Sequence, residues 1–221
     1  MSSPSVRQLT DRSRLNGGGA RKYTVAMRTV ALTFDDGPDP DWTLRILRAL
    51  ARAGTRATFF VMASRVVRHP YALAAIRIEG HDVELHCGEH VRHTEAGREA
   101  IDTDTRAALE VLAEHDVRPR RWRTPWGVRA PWTAEVAAAH GLELVGWTAD
   151  THDWRGDPAE AMLAAVAADL EPGGVVLMHD GLGPGARRDR CAETVRLIPR
   201  LVAHLRERGL EPGLLEAPCT P

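Results

Sequence analysis

Lysine is nearly missing from this chain of 221 residues: Lys22 is the only one, so arginine carries almost all the positive charge. Cysteine is scarce too. Cys87, Cys191 and Cys219 are odd in number and widely spaced, which excludes a paired disulfide framework and a CxxC metal motif and suits a reducing compartment. Neither sign of charge dominates. A formal net charge of -1 leaves no electrostatic case for nucleic acid or an anionic membrane as partner. No apolar run approaches the roughly 20 residues of a membrane-spanning helix. The opening stretch, MSSPSVRQLTDRSRLNGGGARKYTVAM, has no apolar segment behind its charges and does not read as a secretory signal. Residues 1–26 are therefore expected to form a flexible tail, residues 27–217 one domain, and the protein to be cytoplasmic. No GxGxxG or P-loop follows the first apolar run, which counts against a nucleotide fold.

What is present is alternation. VALTF (30–34), ATFFVM (57–62), HDVELHC (81–87), RRWRTP (120–125), LELVGWTA (142–149), GVVLMH (174–179) and a weak LEPGLL (210–215) read as strands. Between them lie amphipathic stretches at helical spacing: 42–54, 64–79, a helix within 95–116 with Ala107, Leu109, Val111 and Leu112 on its apolar side, 131–141, 158–170 and 189–208. Pro199 is a possible kink in the last of these. About seven strand–helix units imply an α/β class with a parallel sheet. At this length a closed or nearly closed barrel is expected rather than an open doubly wound sheet.

In parallel α/β architectures the chemistry gathers where strands end. Here those ends carry Asp35-Asp36, His86 through His90, Arg123 through Gly127, Asp150 through Trp154, and His179-Asp180. Two adjacent carboxylates repel unless a cation or a division of labour separates them. His86 and His90, four apart, put two imidazoles on one side of a turn. With one aspartate they make a set suited to a divalent metal that keeps open positions.

TFDDGP, HxxxH, RxPxG, DxxDW and a late LxH, in that order over residues 29–216, resemble the five motifs of the polysaccharide deacetylase family, the chitooligosaccharide deacetylase homology domain of carbohydrate esterase family four. The resemblance implies a distorted (β/α) barrel and a metal-dependent hydrolase. Such an enzyme removes an acyl group, acetyl first of all, from nitrogen on an amino sugar or related small molecule or oligosaccharide. It further implies that Asp36, His86 and His90 bind one divalent ion, commonly zinc, with cobalt, nickel or manganese as alternatives. Asp35 is then the general base, held by Arg123, and His179 the general acid, tuned by Asp153 or else Asp150. Pro125, Trp126, Trp154 and Leu177 wall the pocket, with the Trp126 backbone N–H near the oxyanion.

Three other readings use some of the same parts: hydrolysis of a formamide or ureide, a non-catalytic glycan-binding relative, and an Fe(II) oxygenase using two His and a carboxylate. The departures from the family pattern are Cys87 after the first His, Val91 after the second, and Leu85 before the first. Cys87 reads as a small loop residue, with a weak extra ligand or redox-sensitive position as the sharper alternative. His93 reads as polar surface.

Overall fold

The computed structural model describes residues 28–216; the expected tail and Cys219 lie outside the described residues. Its centre is β1 (Thr29–Asp35), buried from its second residue to its last. One edge of β1 pairs with β7 (Val175–His179) over Ala31–Asp35. The other edge is shared: β8 (Glu211–Gly213) takes Thr29–Ala31 and β2 (Thr58–Met62) takes Thr33–Asp35. Beyond β2 follow β3 (Asp82–Cys87), β4 (Arg121–Trp122) and β5 (Glu143–Leu144), and β6 (Ala149–Asp150) lies outside β7, every pair being parallel. A parallel sheet is covered on both faces, which explains why VALTF and TFFVM read as unbroken apolar runs. Parallel order also brings the C-terminal ends of β1, β3, β4, β6 and β7 to one rim.

The sheet curls into a half-barrel rather than closing by a hydrogen-bond ladder. LELVGWTA, expected to be one strand, is two. The Val145 N–H donates to the Trp122 carbonyl and the Thr148 N–H to the Val175 carbonyl. β5 thus takes the edge of β4, β6 takes the edge of β7, and Gly146-Trp147 crosses the seam between them.

The helices cover the outside. In α1 (Trp42–Ala53) Thr43, Ile46, Leu47 and Leu50 are buried on one face. The helix stops at Gly54, whose left-handed φ of 62° lets its N–H reach the Ala51 carbonyl while the Thr55 N–H reaches Leu50. The stretch 64–79, expected to be one helix, is split into α2 (Ala63–Arg68) and α3 (Pro70–Ile78). Pro70 has no N–H and forces His69 out of the helical region, to φ -134° and ψ 53°. In α4 (Arg98–Glu114) the buried face is Ile101, Thr105, Ala108 and Leu112; Leu109 and Val111 flank it, and Ala107, expected on that face, is exposed. The short α5 (Thr133–Ala139) and α6 (Ala159–Val166) follow. Last comes α7 (Ala192–Glu207), which runs through Pro199 and packs on α1. Among the described residues no helix is long and apolar enough to cross a membrane.

Candidate active site

Successive strand residues point to opposite faces, so Asp35 and Asp36 would ordinarily diverge. They do not. Asp36 adopts a left-handed φ of 73°, a conformation Asp tolerates better than most residues. Both carboxylates line one cavity of ≈ 380 Å³ at the C-terminal rim. A hydrogen bond from the Met62 N–H to the Gly37 carbonyl, 2.8 Å, holds the turn that follows.

The two Asp then have separate company. The Asp36 Oδ1 lies 3.3 Å from Nε2 of both His86 and His90. Asp36 and His86 are buried and His90 is half-buried, and one ligand atom from each falls within 4.8 Å of the others. This Asp-His-His group is a candidate metal site, and its details fit a cation. The His86 Nδ1 is 2.7 Å from the Arg123 carbonyl, which can only accept, so Nδ1–H donates to it and Nε2 is the nitrogen turned to Asp36, the one a metal would use. The Asp36 Oδ1 is buried with no hydrogen-bond donor of its own. Burial works to raise the Asp36 carboxyl, but the two imidazoles and the His179 charge hold it well below the usual carboxylate range.

Asp35 faces Arg123 instead. The guanidinium, fully buried, donates to Asp35 Oδ1 at 2.8 Å, to Thr33 Oγ1 at 2.8 Å and to the Gly146 carbonyl at 2.9 Å. It also lies over the Phe60 ring, 4.1 Å from its centre. One arginine therefore joins β1, the end of β4 and the seam.

On β7, in register with Asp35 and lining the same cavity, His179 has its Nδ1 2.7 Å from Asp153 Oδ1. This resolves the choice between the two aspartates: Asp153 is the partner of His179, while Asp150 lines the cavity and pairs with His152 at 3.1 Å. Burial alone would lift Asp153, yet His179, Arg188 and Thr194 hold it at about 2. His179 is pushed up to about 9, because the Asp153 carboxylate, helped by Asp36 and Asp35, outweighs the opposing effect of burial.

Trp126, Trp154 and Leu177 line the cavity, with Trp147 beside them; Pro125 is buried next to it and does not line it. Trp126 sits edge-on to His90, ring centres 4.1 Å apart, with the Arg92 guanidinium 4.2 Å over its face. Cys87 is the buried last residue of β3, not a loop residue and not one of the clustered ligands. Burial and nearby carboxylates raise its thiol well above the ordinary range. His93 is buried rather than on the surface. It packs on Trp122 and Trp132, its Nδ1 is 3.1 Å from Thr133 Oγ1, and burial brings its pKa down to about 4.

Four contributors escaped the sequence reading. Asp104, on α4, accepts the N–H groups of Gly88 and Glu89 at 2.9 Å and so supports the loop between the two His. Arg188 and Thr194 bind Asp153. The glycine-rich run after β7 packs so tightly that a Cβ on Gly183 would fall 2.1 Å from Asp36 Oδ2. Only the repeated glycine of GLGPG hinted at such closeness. Gly183→Ala is expected to push the Asp36 carboxylate aside and weaken divalent-metal affinity by about tenfold, measured by competition with a chromogenic chelator. Unchanged affinity would show that the loop yields instead.

The geometry agrees with what the chain is similar to. The polysaccharide deacetylase family model matches residues 22–145. A chitooligosaccharide deacetylase from Bradyrhizobium is 33% identical over 195 residues, covering 83% of this chain and 87% of that protein. A peptidoglycan-N-acetylglucosamine deacetylase from Bacillus cereus is 29% identical over 184 residues, covering 82% and 84%. A solved family 4 carbohydrate esterase from Streptomyces lividans, in complex with acetate, superposes with a TM-score of 0.77 at 31% identity, covering 85% of this chain and 93% of that one. With its motifs in order, its half-barrel and this rim, the chain belongs to the polysaccharide deacetylase family, the carbohydrate esterase family four hydrolases of non-peptide carbon–nitrogen bonds.

Proposed function

We propose that this hydrolase removes the acetyl group from N-acetylglucosamine in a short oligosaccharide or a related amino sugar, with zinc as its metal. The observation that carries the reading is the meeting of two devices at one cavity: Asp35 beside the Asp-His-His cluster, and the His179–Asp153 pair on the neighbouring strand, where His179 is in register with Asp35. A divalent ion held by Asp36, His86 and His90 supplies Lewis acidity toward the amide carbonyl and acidifies a water.

The chain's own residues do the rest. Asp35, fixed by Arg123, accepts a proton as water oxygen adds to the acyl carbon. On this reading the Trp126 backbone N–H hydrogen-bonds the developing oxyanion. An amine leaves poorly unless protonated, so His179 gives its Nε2 proton to the nitrogen as the C–N bond breaks, leaving acetate and a free amine. Trp126, Trp147, Trp154 and Leu177 form walls on which a sugar face can rest. The test is released acetate from N-acetylglucosamine oligomers by zinc-loaded protein. Formate or ammonia from formamides or ureides, with no acetate from any oligomer, would replace this reading with its alternative.

The acid sets a pH dependence. A His whose pKa is raised works, and stabilises the fold, when protonated. Both effects are complete below the ordinary His range near 6.5 and are lost as pH rises through about 9. Neutralising Asp36 on metal binding removes part of the support for His179, so the alkaline limb of kcat in loaded protein lies below that value. Asp153→Asn takes away the largest lifting influence and is expected to move the limb acidward by roughly 1–2 pH units. A limb that stays in place would mean another group titrates there.

A further inference from the structure

Arg188 has no part in the reaction as written, yet it is placed among the reacting groups. It sits in the segment 180–191 between β7 and α7, lines the cavity, and its side chain is only 4% exposed. Its Nη1 donates to Asp153 Oδ2 at 3.0 Å and to Thr194 Oγ1 at 2.5 Å, and its Nη2 donates to the His179 carbonyl at 3.1 Å. The Thr194 hydroxyl donates in turn to Asp153 Oδ2 at 2.7 Å. The two oxygens of Asp153 are thereby divided. Among the described residues Oδ1 meets only the His179 ring nitrogen, while Oδ2 is held by Arg188, Thr194 and the His179 backbone N–H at 3.0 Å. A planar carboxylate gripped by three donors at one oxygen cannot turn, so the direction of its other oxygen is set. That direction fixes the imidazole.

The same segment also packs on Asp36. Gly183 abuts the Asp36 carboxylate, and a Cβ on Gly181 would fall 2.6 Å from the Asp36 carbonyl oxygen. A guanidinium buried this deeply is costly to leave unpaired, and here its fork is spent on the acid pair. Lysine, a point charge with no fork, could not hold Asp153 and the His179 carbonyl together.

We propose that Arg188 is a positioning residue for the reaction: by locking Asp153, it aims the His179 Nε2–H at the leaving nitrogen and ties that aim to the loop packed on Asp36. The inference rests on the deacetylase reading for its role in turnover, though not for its effect on His179. Arg188→Ala is expected to lower kcat on N-acetylglucosamine oligomers by about 30-fold, with KM changed by less than about twofold. Arg188→Lys recovers part of that loss. Added guanidinium ion, at concentrations too low to unfold the protein, restores activity several-fold to Arg188→Ala but not to Arg188→Lys.

A second readout needs no turnover. The downfield proton resonance of His179 Nδ1–H, identified by its loss in Asp153→Asn, shifts or broadens in Arg188→Ala and stays near its place in Arg188→Lys. An unmoved resonance with unchanged kcat overturns the proposal. So does a variant that loses only thermal stability while its folded fraction keeps both. If the unsubstituted protein releases no acetate from any oligomer, the deacetylase reading fails, and the resonance alone decides whether Arg188 positions His179.

Discussion

Asp35→Asn is expected to lower kcat by about 10³-fold while the variant still binds one divalent ion. The amide keeps the shape of the carboxylate and can still accept from Arg123 and face the cavity, but it cannot take a proton at neutral pH. Asp35 is not one of the three clustered ligands, so metal affinity should change little. Its neighbours sharpen the test. Arg123 is fully buried, and replacing the carboxylate by an amide leaves its charge with neutral acceptors alone: the amide oxygen, Thr33 Oγ1 and the Gly146 carbonyl. Some loss of stability is therefore expected, since an uncompensated buried charge is unfavourable. Kinetics must be measured on the folded fraction, with metal content determined on the same sample. A variant that keeps more than about a tenth of wild-type kcat would remove Asp35 from the role of general base.

The second large effect concerns Asp36. Asp36→Ala is expected to abolish measurable metal binding and, with it, acetate release. Two imidazoles four residues apart remain, but a two-ligand site lacks the carboxylate whose charge offsets the cation. Chelation supplies the complementary experiment. Ligand that binds only the folded state stabilises it by about 4 kcal/mol when free metal exceeds its Kd a thousandfold. A chelator should therefore lower the unfolding midpoint of the wild-type protein and leave that of Asp36→Ala unmoved. Returning the metal should restore both stability and activity to the wild-type chain alone. If chelation leaves the wild-type midpoint and its turnover unchanged, the cluster is a hydrogen-bonded group without a metal, and the proposed reaction has no source of Lewis acidity.

Much of this was readable along the chain because the relevant signals are local. The run VALTF closed by two carboxylates, the pair of His four apart, and Pro or Gly at element ends each depend on a few neighbouring residues. They placed β1, β2, β3 and β7 within a residue or two. Elements that rely on distant partners were read less well. The helix expected over 64–79 breaks at Pro70, a cause that is itself local. The split of LELVGWTA had no comparable signal, since whether Val145 pairs with Trp122 and Thr148 with Val175 depends on chain far away. His93 looked like surface because a polar residue in a polar run usually is; its cover comes from Trp122 and Trp132.

The same division runs through the site. Residue types and their order were sufficient to determine a parallel α/β chain with titratable groups at one rim, and to single out Asp35, Asp36, His86, His90, Arg123 and His179. The family resemblance had already paired Asp36 with the two His and Asp35 with Arg123; tertiary structure supplied the cause, the left-handed turn at Asp36. It chose Asp153 over Asp150, and it brought in Asp104, Arg188 and Thr194. The physical reason is range. Strand and helix periodicity are fixed by neighbours along the chain, whereas the aim of a carboxylate is fixed by donors that only folding brings within 3 Å.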